Sequence, residues 1–312
     1  MKYRPSPGRW SRRNWIASAA LAGLNARAGA QPFDGHHRVR RRRISPPPVF
    51  PDPSSWSDHG LYAAWLGHST VLLKIDGFTI LTDPILSNRA GMDFRVCTVG
   101  VRRRVASPLT FDKLPPIDLI LLSHAHMDHF DIPSLRRLRS PRTTVITAPF
   151  TTEFLRPRRY REVRELAWGQ SHRCGPALCK AFEVNHWGAR YRSDTFRGYN
   201  GYTIELGRHR VLFAGDTAMT DAFRGLRSSH PFDLAIMPIG AYNPMVHNHC
   251  TPEQAWRMAN DAGAESILPV HHQTFRLSFE PYFEPIERLQ AAAGSSASRI
   301  ALRRIGEHVH LA

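Results

Sequence analysis

The sequence predicts a single α/β domain built from layers of sheet and helix, and three observations support this. Short apolar, β-branched segments alternate along the chain with segments of helical pattern. Two pairs of these segments have the pattern of hairpins, and an aspartate follows each pair. The 312 residues are 42% hydrophobic and 22% charged, which is ordinary for a globular protein. We therefore expect one domain over 61–312, with two similar halves.

The first 60 residues are predicted to lie outside this domain. Residues 1–30 have the order of a twin-arginine signal, with Arg12 and Arg13, an Ala-rich stretch and a small-residue cleavage site at 28–30. Residues 31–60 contain four consecutive arginines and three consecutive prolines, which is typical of an exposed linker. We expect export to the bacterial periplasm. A cytoplasmic protein with a basic tail is the alternative, and cleavage is left open.

The distribution of charge argues against a nucleic-acid partner. Residues 1–43 hold 11 Lys/Arg and one Asp, a net charge of +10, and the other 269 residues hold 31 Lys/Arg and 25 Asp/Glu, a net charge of +6. The excess is mostly a property of the tail. No run reaches the ~18 apolar residues of a membrane span. The arginine run could still contact anionic lipid peripherally.

The four cysteines, Cys97, Cys174, Cys179 and Cys250, form no C-x-x-C pair. A structural zinc knuckle is therefore not expected. A disulfide between Cys174 and Cys179 in an exported protein, or free thiols, are both compatible with this spacing.

Two hairpins are the clearest strand signals. The first joins 71–75 to 78–82 through Asp76-Gly77, after a short apolar run at 62–66, and ends at Asp83. The second joins 201–206 to 211–214 and leads to Asp216. Further apolar strands are predicted at 118–123, 144–148, 233–238 and 266–270.

Three helices are predicted between and after these strands. Asp131 can cap the first helix, with Pro133 in its first turn. Thr251 and Gln254 form a capping box for the second helix, which should end near Gly263. The third covers 283–293.

The stretch 121–131, LLSHAHMDHFD, carries most of the chemistry. His124 and His126 are two residues apart directly after a strand, so their rings should point to one side. Asp128 and His129 follow at a helix entry, where the chain turns. Imidazole with carboxylate suits Zn, Mn or Fe. Four candidate ligands in six residues exceed what one tetrahedral ion takes from a single loop, so two ions are expected.

Two ions need further ligands, and the ends of other strands supply them. Asp216, His186 and His271 each follow a strand or strand-like segment, and such ends gather at one edge of a layered α/β fold. The first metal is expected to bind His124, His126 and His186. The second is expected to bind Asp128, His129 and His271, with Asp216 bridging both. Asp83 is expected either to orient a ligand histidine or to cap its strand, and His68 to support the site or the fold.

These motifs resemble those of the metallo-β-lactamase superfamily: H-x-H-x-D-H after a strand, a later single histidine, Gly-Asp-Thr, and a last histidine after a strand. Within it the chain is similar to the N-acyl phosphatidylethanolamine phospholipase D-like branch, through WLGHST at 65–70, ILTDP at 80–84, LPPID at 114–118, HW at 186–187, AGDT at 214–217 and IGAYNP at 239–244. The resemblance covers roughly 60–290. It implies a four-layered αββα sandwich in a single domain, two divalent ions, with zinc expected, and a histidine near the metals at His249, which could protonate a leaving group.

The chain departs from the branch at three places. The branch has tryptophan after its last ligand histidine, whereas His271 is followed here by His272, and either could be the ligand. Residues 197–201 stand where relatives carry tryptophan. True β-lactamases of the superfamily have cysteine at the position of Asp216, which argues against antibiotic hydrolysis.

The predicted function is metal-dependent hydrolysis, with Asp128, Asp216 and His249 as catalytic residues. Two ions can activate a water and hold the oxygens of a phosphoryl group. The branch resemblance favours a phosphodiesterase of phospholipase D type acting on a phospholipid-like or small-molecule substrate. A lactonase or esterase using the same activated water is the first alternative, and a non-catalytic metal- or lipid-binding protein is the second. Substrate, metal identity and oligomeric state are left open.

Overall fold

The computed structural model describes residues 43–191 and 193–311. The predicted signal segment at 1–30 and the first part of the predicted linker lie outside the described residues. Residues Ile44–Ala312 form one compact unit. Within the described part of the chain, no helix has the length and apolar character that crossing a membrane requires.

Strands account for most of the regular structure. Their bounds within the described residues are β1 Leu61–Gly67, β2 Thr70–Ile75, β3 Phe78–Thr82, β4 Arg89–Asp93, β5 Thr98–Arg102, β6 Leu119–Leu121, β7 Thr144–Thr147, β8 Glu162–Glu165, β9 Ser171–Cys174, β10 Ala177–Phe182, β11 Gly201–Leu206, β12 His209–Phe213, β13 Phe232–Pro238, β14 Ala264–Val270 and β15 His308–Leu311. They form a seven-stranded sheet in the order β15-β1-β2-β3-β6-β7-β8 and a six-stranded sheet in the order β14-β13-β12-β11-β10-β9. A separate two-stranded sheet pairs β4 with β5.

The α-helices in the described residues are α1 Ile132–Arg137, α2 Pro252–Ala262 and α3 Glu284–Ala293. The predicted caps are confirmed. The Asp131 side chain accepts a hydrogen bond from the Ser134 amide at the start of α1, and Thr251 and Gln254 form the capping box of α2. Gly263 ends α2 with φ 81°, a left-handed conformation that glycine adopts without a Cβ penalty.

The alternation of side chains along the strands produces the layers. Leu61, Ala63 and Trp65 of β1 join side chains of both sheets in one core cluster, so this cluster fills the space between the sheets. The intervening Ala64 and Leu66 pack in a second cluster that includes residues of α1. A third cluster joins the outer face of the smaller sheet to α2 and α3. The order is helix, sheet, sheet, helix, and the predicted αββα sandwich is confirmed.

The two sheets repeat one pattern, as the paired hairpins predicted. In the larger sheet the antiparallel pair β2–β3 is followed by the parallel strands β6, β7 and β8. In the smaller sheet the antiparallel pair β11–β12 is followed by the parallel strands β13 and β14. Because β3, β6, β12 and β14 all end at the same edge, the residues that follow them lie close together.

Part of the segment predicted as a linker packs onto the domain. The Ser45 amide donates to the Arg104 carbonyl, and Ser45 forms a bridge with Val105. The Trp56 ring is 6% exposed and stacks on Tyr62 with ring centroids 5.4 Å apart. Burial of this ring favours ordering despite the nearby prolines. The compact unit therefore starts before Leu61.

Some elements were not predicted. They are the β4–β5 hairpin, the strands β8–β10 and the terminal strand β15, and several of them lie at sheet edges or apart from the two large sheets. The four cysteines are all free thiols, with Cys97 exposed and the other three buried.

Candidate metal centre

Residues from both sheets converge at the shared edge of the sandwich. Asp83 follows β3, His124 follows β6, Asp216 follows β12 and His271 directly follows β14. Their backbone is unusual, since φ is positive at Asp83 and His271, at 31° and 65°. Non-glycine residues rarely adopt such values, and they concentrate at functional sites.

Gly215 allows the close approach of the two halves. Its φ is 62°, and a Cβ added there would lie 2.7 Å from Ser123 Cβ and 2.9 Å from the Asn200 carbonyl oxygen. A larger residue would therefore push Asp216 away from the strand end that carries His124.

The first predicted group of ligands is brought together. His124 Nε2 lies 2.8 Å from His126 Nδ1, and His186 Nε2 lies 3.3 Å from the same atom. These three residues form one of the groups whose ligand atoms all lie within 4.8 Å of one another.

The second predicted group is also brought together, and it gains a member. Asp128, His129 and His271 form a group with His68 within the same 4.8 Å limit. His271 Nε2 lies 3.5 Å and His129 Nε2 lies 3.6 Å from Asp128 Oδ2. His68 Nε2 hydrogen-bonds to the same oxygen at 2.9 Å.

Asp216 lies between the two groups. Its Oδ2 is 3.0 Å from His129 Nε2 and 3.1 Å from His271 Nε2, on the side of the second group. The same oxygen is 3.8 Å from His186 Nε2, on the side of the first group. This is the position predicted for a bridging carboxylate.

Hydrogen bonds fix which nitrogen of each ring faces the centre. His129 Nδ1 donates to Asp83 Oδ2 at 2.7 Å, and His186 Nδ1 donates to the Asn248 carbonyl at 2.9 Å. Ser123 Oγ donates to Asp83 Oδ2 at 2.5 Å and accepts from His124 Nδ1 at 2.8 Å. Each of these three rings therefore presents an Nε2 lone pair to the centre, as metal-binding histidines do.

The donor atoms fit divalent cations. His129 Nε2, His271 Nε2 and Asp216 Oδ1 are buried without a hydrogen-bond partner among the described residues. Buried polar atoms without partners are costly, and lone pairs that face one another at 2.8–3.3 Å repel unless a cation or proton lies between them. Imidazole nitrogens with carboxylate oxygens suit first-row transition metals.

The carboxylates dominate the electrostatics of the second group. Burial opposes protonation of His129 and His271, but Asp216 and Asp128 outweigh it and raise the pKa of His129 well above its ordinary range and that of His271 to about 9. Burial alone would raise the pKa of Asp216, but His129 and His271 hold that pKa well below its ordinary range. A cation can take the place of these protons, since it satisfies the same carboxylates.

His271 and His272, which the sequence left as alternatives, occupy different environments. The His271 ring lies against His129 and Asp216 in the centre. The His272 ring stacks on Trp65 with ring centroids 4.5 Å apart. His271 is therefore the one placed to bind a metal.

His249 lies beside the centre, as expected. Its Nδ1 is 3.8 Å from Asp216 Oδ2 and has no hydrogen-bond partner among the described residues. Burial lowers the pKa of His249 to about 4 despite the opposing charge of Asp216, so the ring is neutral near pH 7. His186, Asp216 and His249 also form a group within the 4.8 Å limit.

Three contributors were missed or left undecided. Asp83 accepts hydrogen bonds from His129 Nδ1 and from Ser123 Oγ, which favours the first of the two roles predicted for it. His68 was expected to support either the site or the fold, and its hydrogen bond to Asp128 favours the site. Arg190 was not predicted: its Nη1 donates to the carbonyls of Ala125 and Phe130 at 3.0 and 2.9 Å and so holds the ligand loop. A lone arginine in a loop gave no sequence signal for this contact.

An apolar cavity of about 410 Å³ opens beside Asp128. Its walls come from the β4–β5 hairpin, from Met127 and from Leu277. The polar centre and an apolar space therefore adjoin at one carboxylate.

Comparison with known proteins agrees with this geometry. Residues 79–272 match the family described as the beta-lactamase superfamily domain. An uncharacterized protein of Mycobacterium tuberculosis is 35% identical over 257 residues, which are 80% of this chain and 68% of that protein. The N-acyl-phosphatidylethanolamine-hydrolyzing phospholipase D 1 of Caenorhabditis elegans is 30% identical over 252 residues, which are 75% of this chain and 70% of that protein.

The fold is shared with solved structures. Igni18, a metallo hydrolase from the archaeon Ignicoccus hospitalis, superimposes with a TM-score of 0.60 at 18% identity, over 81% of this chain and 99% of that one. The resemblance found in the sequence is thus confirmed. The chain belongs to the β-lactamase superfamily, within which it is a metal-dependent hydrolase of the metallo-β-lactamase fold.

Proposed function

We propose that the protein is a phosphodiesterase of phospholipase D type that acts on a phospholipid-like substrate. One observation carries this proposal: the cluster of histidines and carboxylates adjoins an apolar cavity of about 410 Å³ at Asp128. A molecule that joins a charged phosphoryl group to a hydrocarbon chain would fill both. The relative from Caenorhabditis elegans, named for hydrolysis of an N-acyl phosphatidylethanolamine, supports the same substrate class.

We further propose two divalent ions, with zinc as the metal. His124, His126 and His186 would hold one ion, and Asp128, His129 and His271 the other, with Asp216 between them. Two ions in such a site supply an activated water and neutralise phosphoryl oxygens. The remaining chemistry belongs to the side chains around them.

Two side chains near the centre shape the reaction. The Trp187 ring meets the His126 ring edge-on with ring centroids 4.4 Å apart, and it would limit the access of water to the first group. His249 has a free ring nitrogen beside the centre, and as a neutral imidazole it would donate a hydrogen bond to the leaving-group oxygen through its N–H. Asp128 and Asp216 keep their charge, because the neighbouring histidines lower the pKa of both carboxyl groups despite burial.

The test is a substrate panel on protein of known metal content. Elemental analysis is followed by turnover measurements on phospholipids, on bis(p-nitrophenyl) phosphate and on simple lactones. Asp216→Asn should abolish phosphodiester turnover while the circular dichroism spectrum is retained. Asp221→Asn is the matched control, because Asp221 is exposed and its ion pair is with Arg224.

The outcomes separate the candidate functions. Phosphodiester turnover that Asp216→Asn removes supports the proposal. Turnover of lactones alone would instead make the protein a lactonase or esterase. Bound metal without turnover of any substrate would favour the non-catalytic alternative.

A further inference from the structure

The β4–β5 hairpin exposes an unusual amount of apolar surface. Five of the described residues with exposed large apolar side chains lie on this hairpin, within the ten residues 92–101. They are Met92 at 39%, Phe94 at 53%, Val96 at 92%, Val99 at 61% and Val101 at 37% exposure. Contiguous exposed apolar surface of this kind marks an interaction site.

Basic side chains alternate with these apolar ones. Arg89, Arg95 and Arg102 are exposed on the same hairpin. Its one carboxylate, Asp93, pairs with Arg136 of α1. The hairpin surface therefore presents apolar side chains among positive charges.

The same exposed surface of the hairpin lines the cavity that reaches Asp128. Its lining includes four of the five exposed apolar residues, Met92, Phe94, Val99 and Val101, together with Ala90, Gly91 and Gly100. Gly91 and Gly100 lie opposite each other, and a Cβ on either would lie 2.0 Å from a backbone oxygen of the other strand. The exposed apolar surface of the hairpin is thus continuous with the cavity that reaches Asp128.

We propose that the β4–β5 hairpin docks the protein on an anionic phospholipid bilayer. Its apolar tip would enter the interface while its arginines contact lipid phosphates, and the cavity would receive an acyl chain next to Asp128. The last step rests on the proposed function. Each exposed arginine is attracted to an anionic surface, and the apolar side chains that leave water at the interface strengthen the binding further.

The charges favour lipid over two protein occupants. A second copy docked through the same hairpin would bring two sets of arginines together without a compensating carboxylate, since Asp93 is already paired. Residues 1–43 carry 11 Lys/Arg and one Asp, so this segment would be repelled as well. An anionic bilayer matches both the charge and the apolar tip.

The chain carries its own probe for the test. Cys97 lies at the tip and is exposed, whereas the other three cysteines are buried, so an environment-sensitive fluorophore will label Cys97 selectively. We expect a blue shift and increased intensity of the labelled full-length protein with phosphatidylglycerol vesicles, and a much smaller change with phosphatidylcholine vesicles. Binding should weaken as ionic strength rises.

Two tip variants test the surface without touching the cavity. Val96→Asp should weaken vesicle binding, measured by co-sedimentation, by roughly 10-fold or more, and Arg95→Glu by a similar factor. Phe50→Ser is the matched control, because Phe50 is 65% exposed outside the hairpin. Turnover of soluble bis(p-nitrophenyl) phosphate should stay unchanged in all three, while turnover of vesicle lipid falls in the two tip variants.

Several results would overturn the docking proposal. One is fluorescence of labelled Cys97 that does not respond to vesicles, and another is unchanged vesicle binding by Val96→Asp. A change of oligomeric mass in Val96→Asp without a vesicle response would assign the surface to a second copy instead. Vesicle binding by a protein that hydrolyses no phosphodiester would leave docking intact and contradict only the proposed function.

Discussion

Asp83 Oδ2 accepts a hydrogen bond from His129 Nδ1 at 2.7 Å, and both side chains are fully buried. The same carboxylate accepts from Ser123 Oγ, which in turn accepts from His124 Nδ1. One buried carboxylate therefore orients a histidine of each ligand group. Asp83→Asn should lower metal affinity by roughly 10- to 100-fold. The neutral amide is a weaker hydrogen-bond acceptor than the charged carboxylate, so it orients the two histidines less firmly. Titration against a chromophoric chelator measures the affinity.

The control for this change is Asp221→Asn, whose side chain is exposed and pairs with Arg224. It should leave metal affinity unchanged. If Asp83→Asn bound metal as tightly as the unmodified protein, Asp83 would have only the strand-capping role.

Adjacent histidines allow a sharper test of the last ligand. His271→Ala should remove one ion per chain and abolish turnover, since His271 Nε2 lies 3.1 Å from Asp216 Oδ2. His272→Phe should retain metal and activity, because phenylalanine preserves the stack on Trp65. Elemental analysis of both variants decides the assignment, and metal loss in His272→Phe alone would reverse it.

Arg190 offers a test of how the ligand loop is held. Arg190→Met keeps the aliphatic stem but leaves the carbonyls of Ala125 and Phe130 without their donor. We expect the free energy of unfolding to fall by about 1–3 kcal/mol and metal affinity to fall with it. Urea unfolding of the metal-free and metal-loaded proteins measures both effects. Arg257→Met, at an exposed position of α2, should change neither.

The sequence predicted the parts of this centre that depend on local spacing. His124, His126, Asp128 and His129 lie within one loop after β6, and any fold that buries this strand brings them together. Asp216 and His271 were predictable because each follows a strand, and the strand ends of a layered α/β fold share one edge.

What the sequence could not predict depends on long-range packing. The contact between His68 and Asp128 joins residues 60 positions apart, and that between Arg190 and Ala125 joins residues 65 positions apart. The choice between His271 and His272 depends on which ring meets Trp65, which spacing does not encode. The β4–β5 hairpin was missed because its apolar residues face outward as well as toward the cavity, so they do not alternate between core and solvent.

The raised pKa of His271 predicts how the stability of the metal-free protein depends on pH. Burial opposes the shift, but Asp216 and Asp128 raise the pKa from 6.5 to about 9, and His129 is shifted in the same direction. The folded protein therefore binds these protons more tightly than the unfolded chain does. Their contribution to stability is complete below pH 6.5 and is lost as the pH rises through about 9.

Chemical unfolding across this pH range measures the effect. Well above pH 6.5, the centre histidines whose pKa is lowered, such as His249, are neutral in the folded and unfolded states alike. There the metal-free protein should lose stability as the pH rises through about 9. The metal-loaded protein should not, because the ions take the place of the protons and bind more tightly as the pH rises. Metal-free stability that is constant or increases over this range would contradict the assignment of charge to the second group.

The role of His249 is testable through the leaving group of the substrate. p-Nitrophenolate is a stable anion that departs without protonation, whereas the alkoxide leaving group of a phospholipid needs a proton or a hydrogen bond. His249→Phe keeps a ring but has no N–H donor, so it should lower kcat/KM by roughly 100-fold for the alkyl phosphodiester and by much less for bis(p-nitrophenyl) phosphate. Equal losses for both substrates would show instead that His249 holds Asp216 and the metals in place. Its Nδ1 lies 3.8 Å from Asp216 Oδ2. Metal content measured in the same variant separates the two roles, because a positioning role predicts metal loss and a donor role does not.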